Sequence, residues 1–155
     1  MFTDMIGLAV LEYVASKVDG LVVGENCFYE DLPIDYATGQ MVKYGVFVTT
    51  EPAPMTRLSD RTNYLTFYVA IGEGATDNNG VRIPEKYETD RLVDQITNVI
   101  IDSLEHAEEL CELGVTGANE KYFDVRLELS NSKERGVTLP NGAIVKQVVA
   151  KVIYK

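Results

Sequence analysis

His106 is the single histidine in the sequence, so any nucleophilic mechanism that relays a proton through an imidazole has to run through it. It stands beside Glu105, Ala107 and Glu108, late in a stretch of helical apolar spacing, where a helix C-terminus favours positive charge. That pattern predicts a solvent-side helical histidine rather than a catalytic base. Gly72, Gly74 and Gly80 could expose backbone N–H groups to an anion. Their spacing fits neither GxGxxG nor the phosphate-loop pattern, no lysine follows in the required place, and acids crowd the segment, so they predict a turn-rich loop. Asp77, Asn78, Asn79 and Gly80 bring oxygen ligands and a glycine, but the alternate ligands and closing glutamate of a calcium loop are out of register. Cys27 and Cys111 lie far apart in no metal or redox spacing. They predict two reduced, mostly buried thiols in a reducing compartment, with one bridge between them left open. With no spaced carboxylate pair and no orienting histidine, the sequence predicts no catalytic residue, no cofactor and no metal ligand.

Charge says more. The chain carries 14 Lys+Arg against 24 Asp+Glu, a formal charge of −10, so its average surface repels phosphate backbones and anionic lipid heads. Tight nucleic-acid binding is not expected, although a negative wall lets a polyanion pass without sticking. The acids concentrate along one helical stretch: Glu88, Asp90, Asp94, Asp102, Glu105, Glu108, Glu109 and Glu112, with Arg91 its one basic residue. First-turn acids suit the helix dipole, whereas Glu108, Glu109 and Glu112 sit at the wrong end. Either they stay solvated, each worth little, or a neighbouring chain supplies cations. Arg57 and Arg61 in one loop and Lys133 and Arg135 in another are the candidates. Of the nine tyrosines, Tyr64 and Tyr68 fall on a strand face that alternation points away from the core. Such aromatics mark an interface, or they are covered by the chain's own first helix.

These residues need elements to place them. A length of 155 residues, 46% hydrophobic and 25% charged, predicts one folded domain, 1–155. Met5, Ile6, Ala9, Val10, Tyr13, Val14 and Val18 recur at helical spacing, with Thr3 or Asp4 to cap the start and Gly20 to close it. Asp4, Glu12, Lys17 and Asp19 interrupt that apolar start, which therefore reads as neither signal peptide nor membrane span. Leu21–Val23 and Cys27–Tyr29 predict a strand or irregular edge, and Met41–Thr50 a strand. Glu51–Arg61 reads as a long exposed loop. In Thr62–Ile71, Leu65, Phe67, Val69 and Ile71 alternate with Tyr64, Thr66, Tyr68 and Ala70, and the first set should face the core. Gly72–Lys86 is a second long loop.

From about Thr89 the spacing of Leu92, Val93, Ile96, Val99, Ile100, Ser103, Leu104, Ala107, Leu110 and Cys111 predicts one long helix with a continuous apolar face, ended by Gly114. YFDVRLELS predicts a strand with Phe123, Val125, Leu127 and Leu129 inward. Asn131–Gly142 reads as an extended hairpin loop before a last strand, Ala143–Tyr154. The sum is an α+β fold: a mostly antiparallel sheet with an N-terminal helix and one long helix packed on it, closed by a β-hairpin.

The N-terminal IGLAVLEYVASKV, the strand RTNYLTFYVAI with the acidic helix TDRLVDQITNVIIDSLEHA, and the terminal VKQVVAKVIYK together resemble the tail terminator proteins of long-tailed, non-contractile bacteriophages, also called minor capsid or tail completion proteins. The resemblance covers most of the chain as a pattern of elements, without an invariant motif. It implies a non-enzymatic virion subunit in the tail, assembled in the host cytoplasm. Such subunits form a hexameric ring that caps the tail tube, ends its polymerisation and presents the docking face for the head. The implied partners are further copies of the chain, the tail tube protein and a head completion protein, with DNA passing through unbound and no membrane. In such a ring Glu105, Glu108 and Glu109 of one copy would face Arg57, Arg61 or Lys133 of the next, a heterologous interface that closes. Two other expectations stand beside it: another head–tail or tail-tube subunit, and a small ligand-binding α+β domain using a cleft between sheet and helix.

Overall fold

The apolar spacing after Met5 folds as helix α1, Ile6–Lys17, in a computed structural model that describes residues 5–30, 34–35, 40–41, 45–52, 61–71, 85–138 and 144–155. Short strands β1 (Cys27–Tyr29), β2 (Ile34–Asp35) and β3 (Gln40–Met41) follow, then the longer β4 (Gly45–Pro52) and β5 (Arg61–Ile71). Helix α2 spans Glu85–Asp102 and runs into a 3₁₀ turn, Ser103–His106, and a single turn α3, Ala107–Leu110. A small hairpin, β6 (Glu112–Gly114) and β7 (Lys121–Phe123), precedes the closing pair β8 (Arg126–Thr138) and β9 (Ile144–Tyr154).

The main sheet has the order β1-β4-β5-β9-β8. Only β1 and β4 pair in parallel; every other neighbour is antiparallel. The fold is α+β, as the sequence predicts. One face of the sheet presents Val46, Val48, Leu65, Phe67, Val69, Val148, Ala150 and Val152, all buried, to Ile6, Val10 and Val14 of α1 and Leu92, Val93, Ile96 and Ile100 of α2. Period two in the strands and period 3.6 in the helices thus meet in one core. Close approach matters where α1 crosses the sheet: a Cβ on Gly7 would run into Thr50 Cγ2 and the Tyr29 ring. Gly45, at φ 138°, opens β4 against the Asn26 carbonyl, where a Cβ has no room; its neighbour Val46 donates to that carbonyl at 2.8 Å. The buried Lys146 ammonium on β9 pairs with Asp90 of α2 and ties helix to sheet. At the far end Asn63 Nδ2 donates to Tyr154 Oη (3.0 Å), and the Tyr154 ring meets Tyr122 edge to face.

Several expectations need correction. Helix α2 starts at Glu85 rather than near Thr89, so Lys86 belongs to it and not to a loop. The apolar face is not continuous: the 3₁₀ turn winds three residues per turn instead of 3.6, and Leu104, Ala107 and Cys111 come out exposed. Gly114 lies in β6 instead of capping a helix. Asp124, at φ 51° in the left-handed region, breaks YFDVRLELS into two strands, which buries Tyr122 and leaves Phe123 exposed while Val125 and Leu127 stay inside. The segment from Asn131 is not all loop, because β8 continues to Thr138 through register shifts at Leu129/Asn131 and Asn131/Arg135, bulges that let a polar, turn-rich sequence remain in a ladder.

The strand foreseen from Met41 starts at Gly45 and reaches Pro52, Met41 pairing with Ile34 instead. Among the described residues no side chain caps the start of helix α1, which passes into extended backbone at Val18, ahead of Gly20. Thr3 and Asp4, residues 53–60 and 72–84 of the two foreseen loops, and residues 139–143 of the third lie outside the described residues. Tyr64 and Tyr68 are half-buried on the sheet face opposite α1, so the first helix does not cover them. On that same face Phe47 is fully buried and stacks on Phe28, ring centroids 5.2 Å apart.

Candidate functional site

Tyr13 and Lys17, one turn apart at the end of α1, face Val99 and Asp102 of α2 and His106 of the 3₁₀ turn across a cleft of about 190 Å³. Helical spacing sends Tyr13 inward, and it is 6% exposed. Its ring serves the core, but its hydroxyl is buried with no hydrogen-bond partner among the described residues. An orphaned buried hydroxyl costs about 1–3 kcal/mol, and each such group calls for a reason. Burial raises the Tyr13 pKa, and the nearby carboxylates of Glu109 and Asp102 raise it further. The phenol therefore stays protonated and polar rather than acting as a base.

Lys17 lies along the same wall, its Nζ 5.7 Å from the Tyr13 ring centroid and 2.8 Å from Glu109 Oε2. The hydrogen bond from Lys17, outweighing a small desolvation, holds Glu109 below the usual carboxylate range. His106 Nδ1 stands 3.9 Å from Glu109 Oε1, beyond hydrogen-bond reach. His106 lines this cleft with its side chain 40% exposed. The Asp102 carboxylate makes no hydrogen bond or ion pair among the described residues. The wall is made of Tyr13, Lys17, Val99, Asp102 and His106, an aromatic ring and an apolar side chain beside three ionisable groups.

The acids singled out in the sequence separate into two pairs. Glu109 takes Lys17, and Glu112 takes Lys121 across the β6–β7 hairpin at 2.8 Å; the hydrogen bond to Glu112 raises the Lys121 pKa. Glu105 and Glu108 are exposed and have no ion pair among the described residues. Arg61 is exposed at the start of β5. The backbones of Lys133 and Arg135 lie in β8, while their side chains, and Arg57 altogether, fall outside the described residues.

Beside Glu105 and Glu108 the helix shows bare apolar surface: Ile101 is 53% exposed and Leu104 80%. The charge pattern could not show that Glu109 is met from within, because Lys17 is 92 residues away in sequence. Tyr13 and Asp102 were not foreseen as site residues, since an aromatic at helical spacing reads as core.

Both cysteines are free, Cys27 buried and Cys111 exposed, and burial pushes the Cys27 thiol up to about 11. No cluster of three His, Cys, Asp or Glu side chains fit to hold a metal occurs among the described residues; Asp77 to Gly80 lie outside them. No helix among them is long and apolar enough to cross a membrane. No protein-family model matches the sequence, and no curated protein matches it.

Proposed function

We propose that the chain is a structural assembly subunit that associates with further copies of itself through the outer face of α2 and the 3₁₀ turn. The observation that carries this reading is the apolar pair Ile101 and Leu104, adjacent on one helical face, 53% and 80% exposed. Scattered apolar side chains are ordinary on a surface. Here the two are neighbours, and beside them stand Glu105 and Glu108, carboxylates without an ion pair among the described residues. Fully burying a leucine-sized side chain contributes about 1.5–3 kcal/mol, and carboxylates at the rim give register and partner choice. Because Glu109 and Glu112 hold lysines of their own chain, Glu105 and Glu108 are the acids open to the Arg and Lys side chains of a second copy, Arg61 among them.

The form proposed for the assembly is the one the sequence resemblance implies: a closed ring at the end of a phage tail tube that stops polymerisation and offers a face to the head. The formal charge of −10 supports passage of DNA through it without binding. The test is negative-stain electron microscopy of the purified protein with and without isolated tail tubes, beside the double variant Glu105→Lys/Glu108→Lys. Rings or caps at one tube end, lost in the double variant, support the reading. Long self-assembled tubes would make the chain a tube subunit, and a protein that ignores tube ends would refute the terminator role.

A further inference from the structure

We propose that the cleft between α1 and α2 is a binding site for the head of a small organic cation, a guanidinium or primary ammonium group. Three features of the cleft converge on this class. The first is charge: Asp102 lines the cleft with one lysine, Lys17, and that lysine is engaged by Glu109 at 2.8 Å. Asp102 is left without an ion pair among the described residues, so the cleft holds an uncompensated carboxylate that attracts cations and repels anions.

The second is the Tyr13 hydroxyl, buried and without a hydrogen-bond partner among the described residues, in a residue 6% exposed. Tyr13 and Asp102 line the same cleft, so an N–H donor held by Asp102 sits beside the residue that carries this unmet acceptor. The third is the wall itself. The Tyr13 ring already takes a cation, with Lys17 Nζ 5.7 Å from its centroid, as aromatic faces do, and Val99 supplies apolar surface for a short stem. A volume of about 190 Å³ exceeds the roughly 150 Å³ that holds a benzene-sized ligand. A bare metal ion fits less well, since no three-ligand cluster exists among the described residues. Neither the ring nor the exposed face of α2 is needed for this site.

The probes are methylguanidinium and n-butylammonium, with acetate and sodium chloride at equal ionic strength as controls. The readout is the ring resonances of His106, the single histidine, which lines the cleft. Both cations should shift these signals saturably, with a Kd of about 1–10 mM for so few contacts. Asp102→Asn should weaken binding about tenfold or more, the loss expected for a charge-assisted hydrogen bond. Tyr13→Phe, which removes only the orphaned hydroxyl and keeps the ring in the core, should weaken it less. Shifts that do not saturate, that acetate reproduces, or that persist unchanged in Asp102→Asn would overturn the proposal. Mass measured on the same samples identifies the source of the cation. Oligomers released by methylguanidinium and by Asp102→Asn place a side chain of a neighbouring copy in the cleft; a mass that neither treatment changes points to a free ligand.

Discussion

Lys17 at the end of α1 reaches Glu109 on α3, with Nζ 2.8 Å from Oε2. This contact joins two helical segments at their ends and neutralises a carboxylate where the helix dipole disfavours one. It also fixes the wall of the cleft below, because the same ammonium stands against the Tyr13 ring.

The pair gives stability a definite pH dependence. Glu109 is lowered in the folded chain, chiefly by the Lys17 hydrogen bond. Its contribution is therefore present above the ordinary glutamate pKa and is lost as pH falls through the lower folded value. Glu109→Gln should melt at a slightly lower temperature than wild type at neutral pH, and the two should converge as pH falls through the lowered Glu109 value. Thermal denaturation of both proteins over that range checks the sign. A gap that widens towards acid would contradict it.

The Asp90–Lys146 pair should behave asymmetrically. Lys146 is 9% exposed, so Asp90→Ala removes the carboxylate paired with a buried charge and should cost about 1–3 kcal/mol. Lys146→Met, which leaves a partly hydrated carboxylate behind, should cost less than about 1 kcal/mol. Urea unfolding of the two variants decides between this order and its reverse.

The two thiols should react on different timescales. Cys111 is exposed, while Cys27 is buried with its pKa pushed up to about 11. A disulfide reagent at neutral pH should label Cys111 promptly and Cys27 only after unfolding. Peptide mapping of the labelled protein reads this directly, and prompt labelling of Cys27 would show that the β1 edge opens.

Gly45→Ala should cost more than about 2 kcal/mol, since it combines a φ of 138° with a Cβ driven into the Asn26 carbonyl. The damage should localise to the parallel β1–β4 pairing, visible as faster amide exchange at Val46, whose N–H bonds to that carbonyl.

The regular parts of this fold were legible in the sequence because periodicity carries them. Alternation in Leu65, Phe67 and Val69, and helical spacing in Leu92, Val93, Ile96 and Ile100, both end in full or nearly full burial. Legibility stops where the backbone departs from the standard period. After Asp102 the 3₁₀ turn rotates Leu104 out of the stripe that a 3.6-residue helix would have continued, and the left-handed Asp124 swaps the inward partner from Phe123 to Tyr122. The site was less legible than the fold. Tyr13 reads as a core aromatic, and only the three-dimensional structure shows that its hydroxyl lacks a partner among the described residues. The acidic helix end was visible in the sequence, yet which acids are met from within depends on Lys17 and Lys121, whose approach is a property of packing.

Self-association through the outer face of α2 is tested most directly by light-scattering mass across a wide concentration range, on wild type and on Leu104→Asp. Leu104 is 80% exposed, so the substitution should leave the monomer folded. Wild type should reach a plateau at a closed multiple of the 17.2 kDa chain, and Leu104→Asp should remain at the monomer mass. Wild type that stays monomeric throughout, or an assembly indifferent to Leu104→Asp, would contradict it.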